Sequence, residues 1–298
     1  MIFHTRTLSE NLGIEILDSD LSKIDESSFK SIRALWQKNP LLLLRRQNPT
    51  DEEFLGFSRR FGKIDVVIGG SRPSTQNPEL LYVSNLLSSD GNPIGGLGNS
   101  ELVWHTDQIY RENPASGSIF YGVEMPTGTG KTSFCDTAAA YDALPNRLKN
   151  RVDQLKSICR YGTKKPLSSL MRGQIDKTWR RSVKSQEELK VIEKRTPPVS
   201  HRMVLENRVT GQKCLYFSPN HTESIEGLNQ DQGRELIDEL IEHAIKDDFI
   251  YVHDWRNGDI ILWDNARLLH RRDSFDNTLP RFAKRTSVFM NPNYFAVP

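Results

Sequence analysis

The sequence has no uninterrupted apolar run of about 18 residues, the length that a membrane-spanning helix requires. Cysteine is scarce. Cys135, Cys159 and Cys214 are widely spaced and odd in number, and no Cys-x-x-Cys occurs. That pattern excludes a zinc ribbon or a disulfide framework and suits a reducing compartment. Neither sign of charge dominates: 40 Lys and Arg stand against 38 Asp and Glu, a net charge of +2. Such a balance gives no general attraction to nucleic acid or to a membrane surface. The opening residues Met1 to Arg6 lack the apolar core and small-residue cleavage site of a secretory signal, so a cytoplasmic protein is expected. Internal repeats, low-complexity tracts and linkers are also missing, and the 298 residues are expected to form a single domain, 1–298.

What is present alternates short strand and helix signals. Asn11 to Leu17 has the alternation of a strand, and Ser27 or Ser28 is placed to cap a helix through Trp36. Leu41 to Leu44 is a continuous apolar run, the mark of a strand buried on both faces. Thr50-Asp51-Glu52-Glu53 opens a second helix, which is expected to end at Gly62. Residues 66–101 are rich in Gly, Ser, Asn and Pro around a strand at Leu80 to Val83, and are expected to form a lid. Residues 163–198 read as a charged surface insertion. Its Arg172, Lys177, Arg180, Arg181 and Lys184 lack the aromatic ladder of a nucleic-acid site and are expected to be a solvated face. Later come a hairpin across Val204 to Phe217, an amphipathic helix over Asp231 to Ile245, a buried strand at Ile260 to Asn265, and a last strand from Arg281 to Met290.

The chemistry concentrates at Trp104-His105-Thr106-Asp107. On an extended strand, side chains two residues apart share a face, so His105 and Asp107 aim an imidazole and a carboxylate the same way. Together they make two thirds of a 2-His-1-carboxylate triad, which holds non-haem Fe(II) and leaves coordination positions open. His270, at the end of an apolar strand, is placed to bring a second imidazole from a distant part of the chain. Arg281 and Arg285 follow it by eleven and fifteen residues. If both lie on one strand they share a face, and an arginine facing a metal pocket seeks a planar carboxylate. His4, His201, His221 and His243 compete as ligands, with His221 a candidate for the pocket wall.

With these residues assembled, the chain resembles the taurine and 2,4-dichlorophenoxyacetate group of Fe(II)/2-oxoglutarate-dependent dioxygenases. The resemblance runs from Gly13-Ile14-Glu15-Ile16 through Trp104 to Asp107, Gly130-Lys131-Thr132 and Val209 to Lys213, and on through Gly258 to Arg285. It implies a mainly β fold with inserted helices, a double-stranded β-helix of the cupin-like jelly-roll kind. It also implies that His105, Asp107 and His270 ligate iron, and that Thr132 and Arg281 hold the distal carboxylate of 2-oxoglutarate. Arg285 is implied to meet either the other end of that cosubstrate or the primary substrate. Dioxygen is the third reactant. Glu101, Gln108, Tyr110 and His221 complete the expected substrate contacts. Two positions depart from the family pattern: Lys131 replaces an Asp, and Glu101 replaces an amide. An acid at 101 favours a substrate with an amine or hydroxyl donor. Members of the group are often dimers or tetramers, so a homo-oligomer is expected.

The rival reading is a P-loop ATPase. Pro126-Thr127-Gly128-Thr129-Gly130-Lys131-Thr132 looks like a phosphate loop, and Ile260 to Asp264 like a Walker B strand. Met125 stands where the loop pattern needs a small residue, and regular βαβ alternation is lacking. A metal-free jelly-roll binding protein is the other alternative. The expectation carried forward is an oxygenase that oxidises a C–H bond of a small acidic or amino-acid-like molecule, releasing succinate and carbon dioxide, with a place in natural-product biosynthesis.

Overall fold

The computed structural model describes residues 3–10, 12–66, 76–161, 166–170 and 186–298. The run of four leucines becomes β3 (Leu41–Leu44), buried throughout, as the sequence leads one to expect. It lies between β2 (Ile14–Ile16), parallel to it, and β16 (Asp259–Asp264), antiparallel. From β16 the large sheet continues through β8 (Gly117–Glu124) to β18 (Phe282–Met290). β4 (Gly62–Ile64), β5 (Leu81–Ser84) and β6 (Gly96–Leu97) complete that side, and β1 (Thr5–Thr7) flanks β2. A second, four-stranded antiparallel sheet runs in the order β15 (Ile250–His253), β9 (Thr132–Asp136), β17 (Leu268–Arg272), β7 (Leu102–His105). Smaller pieces are β11 (Val199–Arg202), β10 (Lys156–Cys159) and β14 (Thr222–Ile225), and the expected hairpin of β12 (Val204–Glu206) with β13 (Lys213–Leu215).

Alternation along the strands separates the core into layers. Phe120, Ile261, Trp263 and Ala283 of the large sheet meet Phe134 and Leu268 of the second sheet between the two. Ile119, Tyr121, Ile260 and Leu262 point the other way, against α1 (Glu26–Lys38) and α2 (Asp51–Arg59). The second sheet is backed by α3 (Thr137–Asp142), α4 (Asn146–Val152) and α6 (Gln230–Ala244), through residues such as Tyr141, Leu148, Leu236 and Leu269. A further helix, α5, spans Gln186–Arg195. Two facing sheets with inserted helices make this a jelly roll. Among the described residues no helix is long and apolar enough to cross a membrane.

Local details differ from the sequence reading in several places. Asp25, not Ser27 or Ser28, caps α1, because its carboxylate accepts from the Ser28 amide at 2.7 Å. The capping box of Thr50 and Glu53 forms as expected. α2, however, ends at Arg59, and Gly62 opens a strand instead of closing the helix. A Cβ on Gly62 would lie 2.0 Å from the Phe289 carbonyl oxygen, so the requirement there is close approach of two backbones. In the expected lid region, residues 67–75 lie outside the described part, and Leu81–Ser84 is a strand of the large sheet paired with β18. The basic residues Arg172, Lys177, Arg180, Arg181 and Lys184 lie outside the described residues.

Two glycine substitutions test this account in opposite directions. Gly62→Ala must push apart paired backbones, and is expected to lower unfolding free energy by about 1–3 kcal/mol or more. Gly56→Ala, in the exposed interior of α2 with nothing within 4 Å of the added Cβ, is expected to raise it by about 0.5–1 kcal/mol. Urea unfolding midpoints measure both; equal midpoints for the two variants would contradict the packing described.

Candidate metal centre

His105 and His270 are brought together by strand pairing. They are direct cross-strand partners of β7 and β17, with ring centroids 4.2 Å apart. Asp107 is not on the strand, contrary to the sequence reading: β7 stops at His105, and the carboxylate comes from the turn that follows. The turn is held at both ends. Thr106 Oγ1 donates to the Asn265 carbonyl at 2.5 Å, and Gln108 sits at φ +58° with its amide fully engaged. Gln108 Nε2 donates to Asp65 at 2.9 Å, while its Oε1 accepts from Arg111 and from the Ala115 amide. Gln108, expected as a substrate contact, is thus tied into this turn by both ends of its amide.

The result is a compact donor set. Asp107 Oδ1 lies 3.8 Å from His105 Nε2, and Oδ2 lies 3.7 Å from His270 Nε2. The ligand atoms of the three residues all fall within 4.8 Å of one another. His105 Nδ1 hydrogen-bonds to the Val103 carbonyl at 2.7 Å, which puts the proton on Nδ1 and leaves the Nε2 lone pair facing Asp107. Burial lowers the pKa of His105 against the pull of the Asp107 charge, and burial followed by the charge of His105 takes His270 down to about 3. Burial alone would raise the Asp107 carboxyl, but Arg285, then His270 and His105, hold it well below the usual carboxylate range. Two neutral imidazoles and one ionised carboxylate are the forms a divalent transition metal needs, so the residues fit such an ion.

Three arginines come from the strand of His270 and the segment that follows it. Arg285 donates to Asp107, and to Ser118 Oγ at 3.0 Å. Arg281, 1% exposed, donates to the Gly130 carbonyl at 3.0 Å, two residues from Thr132. Gly130 is at φ +60°, and a Cβ there would come within 3.0 Å of the Arg281 guanidinium. Thr132 Oγ1 accepts from Trp255 Nε1 at 2.9 Å. Arg272, which the sequence reading passed over, is the cross-strand partner of Thr132 and lies two residues beyond His270 on β17. Its only sequence signal is that even spacing.

On another side, Tyr110, Tyr161 and His221 form an aromatic group. Tyr110 lies 4.6 Å from Tyr161 and 5.0 Å from His221, centroid to centroid. His221 Nδ1 bonds to the Arg160 carbonyl at 3.2 Å, and burial, then the charge of His105, lowers its pKa to about 4. Tyr161 carried no motif and was missed. Glu101 immediately precedes β7 and is partly exposed. His201 bonds to the Arg111 carbonyl, and His243 to that of Ala140; His253, overlooked as a candidate, is spent on Asp259 and Tyr251. The phosphate-loop reading fails on geometry. Thr132 begins a strand where a P-loop needs a helix N-terminus, and Lys131 Nζ is 3.7 Å from Asp254.

The comparisons agree with this geometry. The family model described as "Taurine catabolism dioxygenase TauD, TfdA family" matches residues 4–287. Pentalenolactone F synthase of Streptomyces arenae is 32% identical over 275 residues, covering 90% of this chain and 89% of that protein. The alpha-ketoglutarate-dependent 2,4-dichlorophenoxyacetate dioxygenase of Cupriavidus pinatubonensis is 30% identical over 291 residues, 93% of each chain. Among solved structures, AAD-2 in complex with Mn(II) and N-oxalylglycine superposes with a TM-score of 0.75 at 27% identity, covering 98% of both chains. A taurine dioxygenase from Burkholderia xenovorans gives 0.75 at 26% identity, covering 99% of this chain and 93% of that one.

The ligand cluster and its arginine respond differently to truncation. Asp107→Ala leaves the buried Arg285 without its carboxylate, and is expected to destabilise the metal-free protein by about 3–5 kcal/mol. His105→Ala removes a neutral ring and is expected to spare the metal-free fold while abolishing tight Fe(II) binding. Denaturant titration and anaerobic equilibrium dialysis separate the two effects.

Proposed function

The chain belongs to the TauD, TfdA family and is a 2-oxoglutarate-dependent dioxygenase, and from that premise we propose which residues do the work and on what kind of molecule. In this reading His105, Asp107 and His270 hold Fe(II), and Arg281 with Thr132 holds the distal carboxylate of 2-oxoglutarate. The observation that carries it is the buried cluster of two neutral imidazoles and a carboxylate, with the guanidinium of Arg281 anchored at Gly130. Iron, 2-oxoglutarate and dioxygen, when bound, supply the oxidising chemistry; one oxygen atom goes to the substrate and one to succinate, with loss of carbon dioxide.

The chain's own residues orient and exclude water. Buried Phe134 and Trp263 pack against His270, with ring centroids 6.2 and 5.2 Å away, and keep the imidazole in a dry, fixed position. The primary substrate is a small acidic or amino-acid-like molecule. Arg285 supports this, since its Nε is buried without a partner among the described residues. Tyr110, Tyr161 and neutral His221 line the same space as flat, weakly polar walls, and Glu101 offers an acceptor to a substrate hydroxyl or amine. Hydroxylation is the default outcome, with desaturation and ring closure open to the same site; halogenation is disfavoured because Asp107 fills the position a halide needs. A role in natural-product tailoring is in keeping with the similarity to pentalenolactone F synthase.

Anaerobic addition of Fe(II) and then 2-oxoglutarate is expected to give a visible charge-transfer band in the wild type and none in His270→Ala. Its absence from the wild type would sink the assignment. Arg281→Ala is expected to raise the 2-oxoglutarate concentration needed for half-maximal succinate release by about 10-fold or more. Arg285→Ala is expected to uncouple substrate oxidation from succinate release at saturating cosubstrate, which product analysis by mass spectrometry reads directly.

A further inference from the structure

Arg272 is the largest piece of unmet hydrogen-bonding capacity near the site. It is 4% exposed, yet its Nε and Nη1 have no partner among the described residues. Arg281, 1% exposed, likewise has an unpartnered Nε. The two guanidinium carbons lie 5.6 and 5.5 Å from the centre of the same Phe275 ring. Burial lowers Arg272 to about 10, and burial followed by the charge of Arg272 lowers Arg281 to about 9. Neither forms an ion pair with a carboxylate among the described residues. Two buried cations beside one another, with several N–H groups idle, are stable only if an anion is meant to join them.

The position of Arg272 says which anion. On β17 it shares a face with His270, and on β9 its cross-strand partner is Thr132. Its Nη2 donates outward, to the carbonyls of Leu97, at 2.9 Å, and of Ser100. The same segment is stitched to Phe275, whose amide donates to the Asn99 carbonyl at 3.2 Å and whose carbonyl accepts from Asn99 Nδ2 at 3.1 Å. Leu97 itself sits at φ +67°, a strained conformation for a leucine.

We propose that Arg272 joins Arg281 and Thr132 in gripping the distal carboxylate of 2-oxoglutarate, and that through Leu97 and Ser100 it couples cosubstrate binding to the ordering of residues 97–100. The inference deepens the reading of the site given above and rests on it. One end of a single guanidinium meets the ligand and the other holds the segment leading into β7, so an occupied pocket fixes both. A fork that donates in two directions at once suits arginine and not lysine.

Calorimetric titration of 2-oxoglutarate into the Mn(II)-loaded protein tests it without turnover. Arg272→Gln is expected to weaken cosubstrate binding about 10- to 100-fold, the loss of charge-assisted hydrogen bonds. Arg272→Lys keeps the charge, guards against a folding defect, and is expected to fall in between. Amide exchange across residues 97–100 is expected to slow when 2-oxoglutarate is added to the wild type and to stay unchanged in Arg272→Gln. Equal affinity in the wild type and both folded variants would overturn the role of Arg272 alone. No binding by the wild type would overturn the cosubstrate site itself, and this inference with it.

Discussion

The ion pair between Asp107 and Arg285 is the contact on which the arrangement of the site depends. Asp107 follows β7 of the second sheet, whereas Arg285 lies on β18 of the large one, so the pair spans the interior from one layer to the other. Both side chains are nearly buried, at 12% and 11% exposure, and either alone would be a desolvated charge. The pair thus fixes the spacing of the sheets where the imidazoles meet. It also keeps the carboxylate ionised while the imidazoles beside it remain neutral. The ligand geometry is held by the protein, so little reorganisation is left for the ion to impose.

Much of this was legible in the sequence, for identifiable reasons. That His105, Asp107 and His270 come together was readable because residue type and spacing of that kind are rare, and the jelly roll followed from the resemblance those residues anchored. The buried strand of four leucines was readable because no other element of that length tolerates apolar side chains on both faces. What escaped depended on distant partners. Asp107 left its strand because the Thr106 and Gln108 contacts, to Asn265 and Asp65, turn the chain there. Gly62 looked like a helix stop, but its reason is the Phe289 carbonyl more than two hundred residues away. The engagement of the Gln108 amide with Asp65, Arg111 and Ala115 was not readable either, because the sequence says nothing about a side chain placed by a positive φ. Arg272 was invisible for the opposite reason: an arginine beside another arginine reads as surface, and only burial singles it out.

The charge on the strand of His270 and the one that follows it is one-sided. Arg272, Arg281 and Arg285 all come from β17, β18 and the turn between them, while Asp107 is the one acid in the candidate ligand cluster and pairs with Arg285 alone of the three. A local surplus of positive charge is poorly satisfied alone and better satisfied with anions bound, so in the proposed reading the affinity for acidic ligands and the cost of the ligand-free state share one origin.

The order of strands in the large sheet also bears on synthesis. β3, from the first fifty residues, is hydrogen-bonded to β16, and β8 is enclosed between β16 and β18. β3 can pair early with β2, but its other edge and both edges of β8 have no partner until the segment from residue 259 onward has left the ribosome. Until then one edge of Leu41 to Leu44 stays unpaired, a sticky stretch with strong strand character, and such delayed pairing is slow and exposed to aggregation. His270 arrives within that same late segment. The nascent chain therefore cannot assemble the three-residue cluster before the two sheets close, and in the proposed reading metal loading becomes an event of the finished fold.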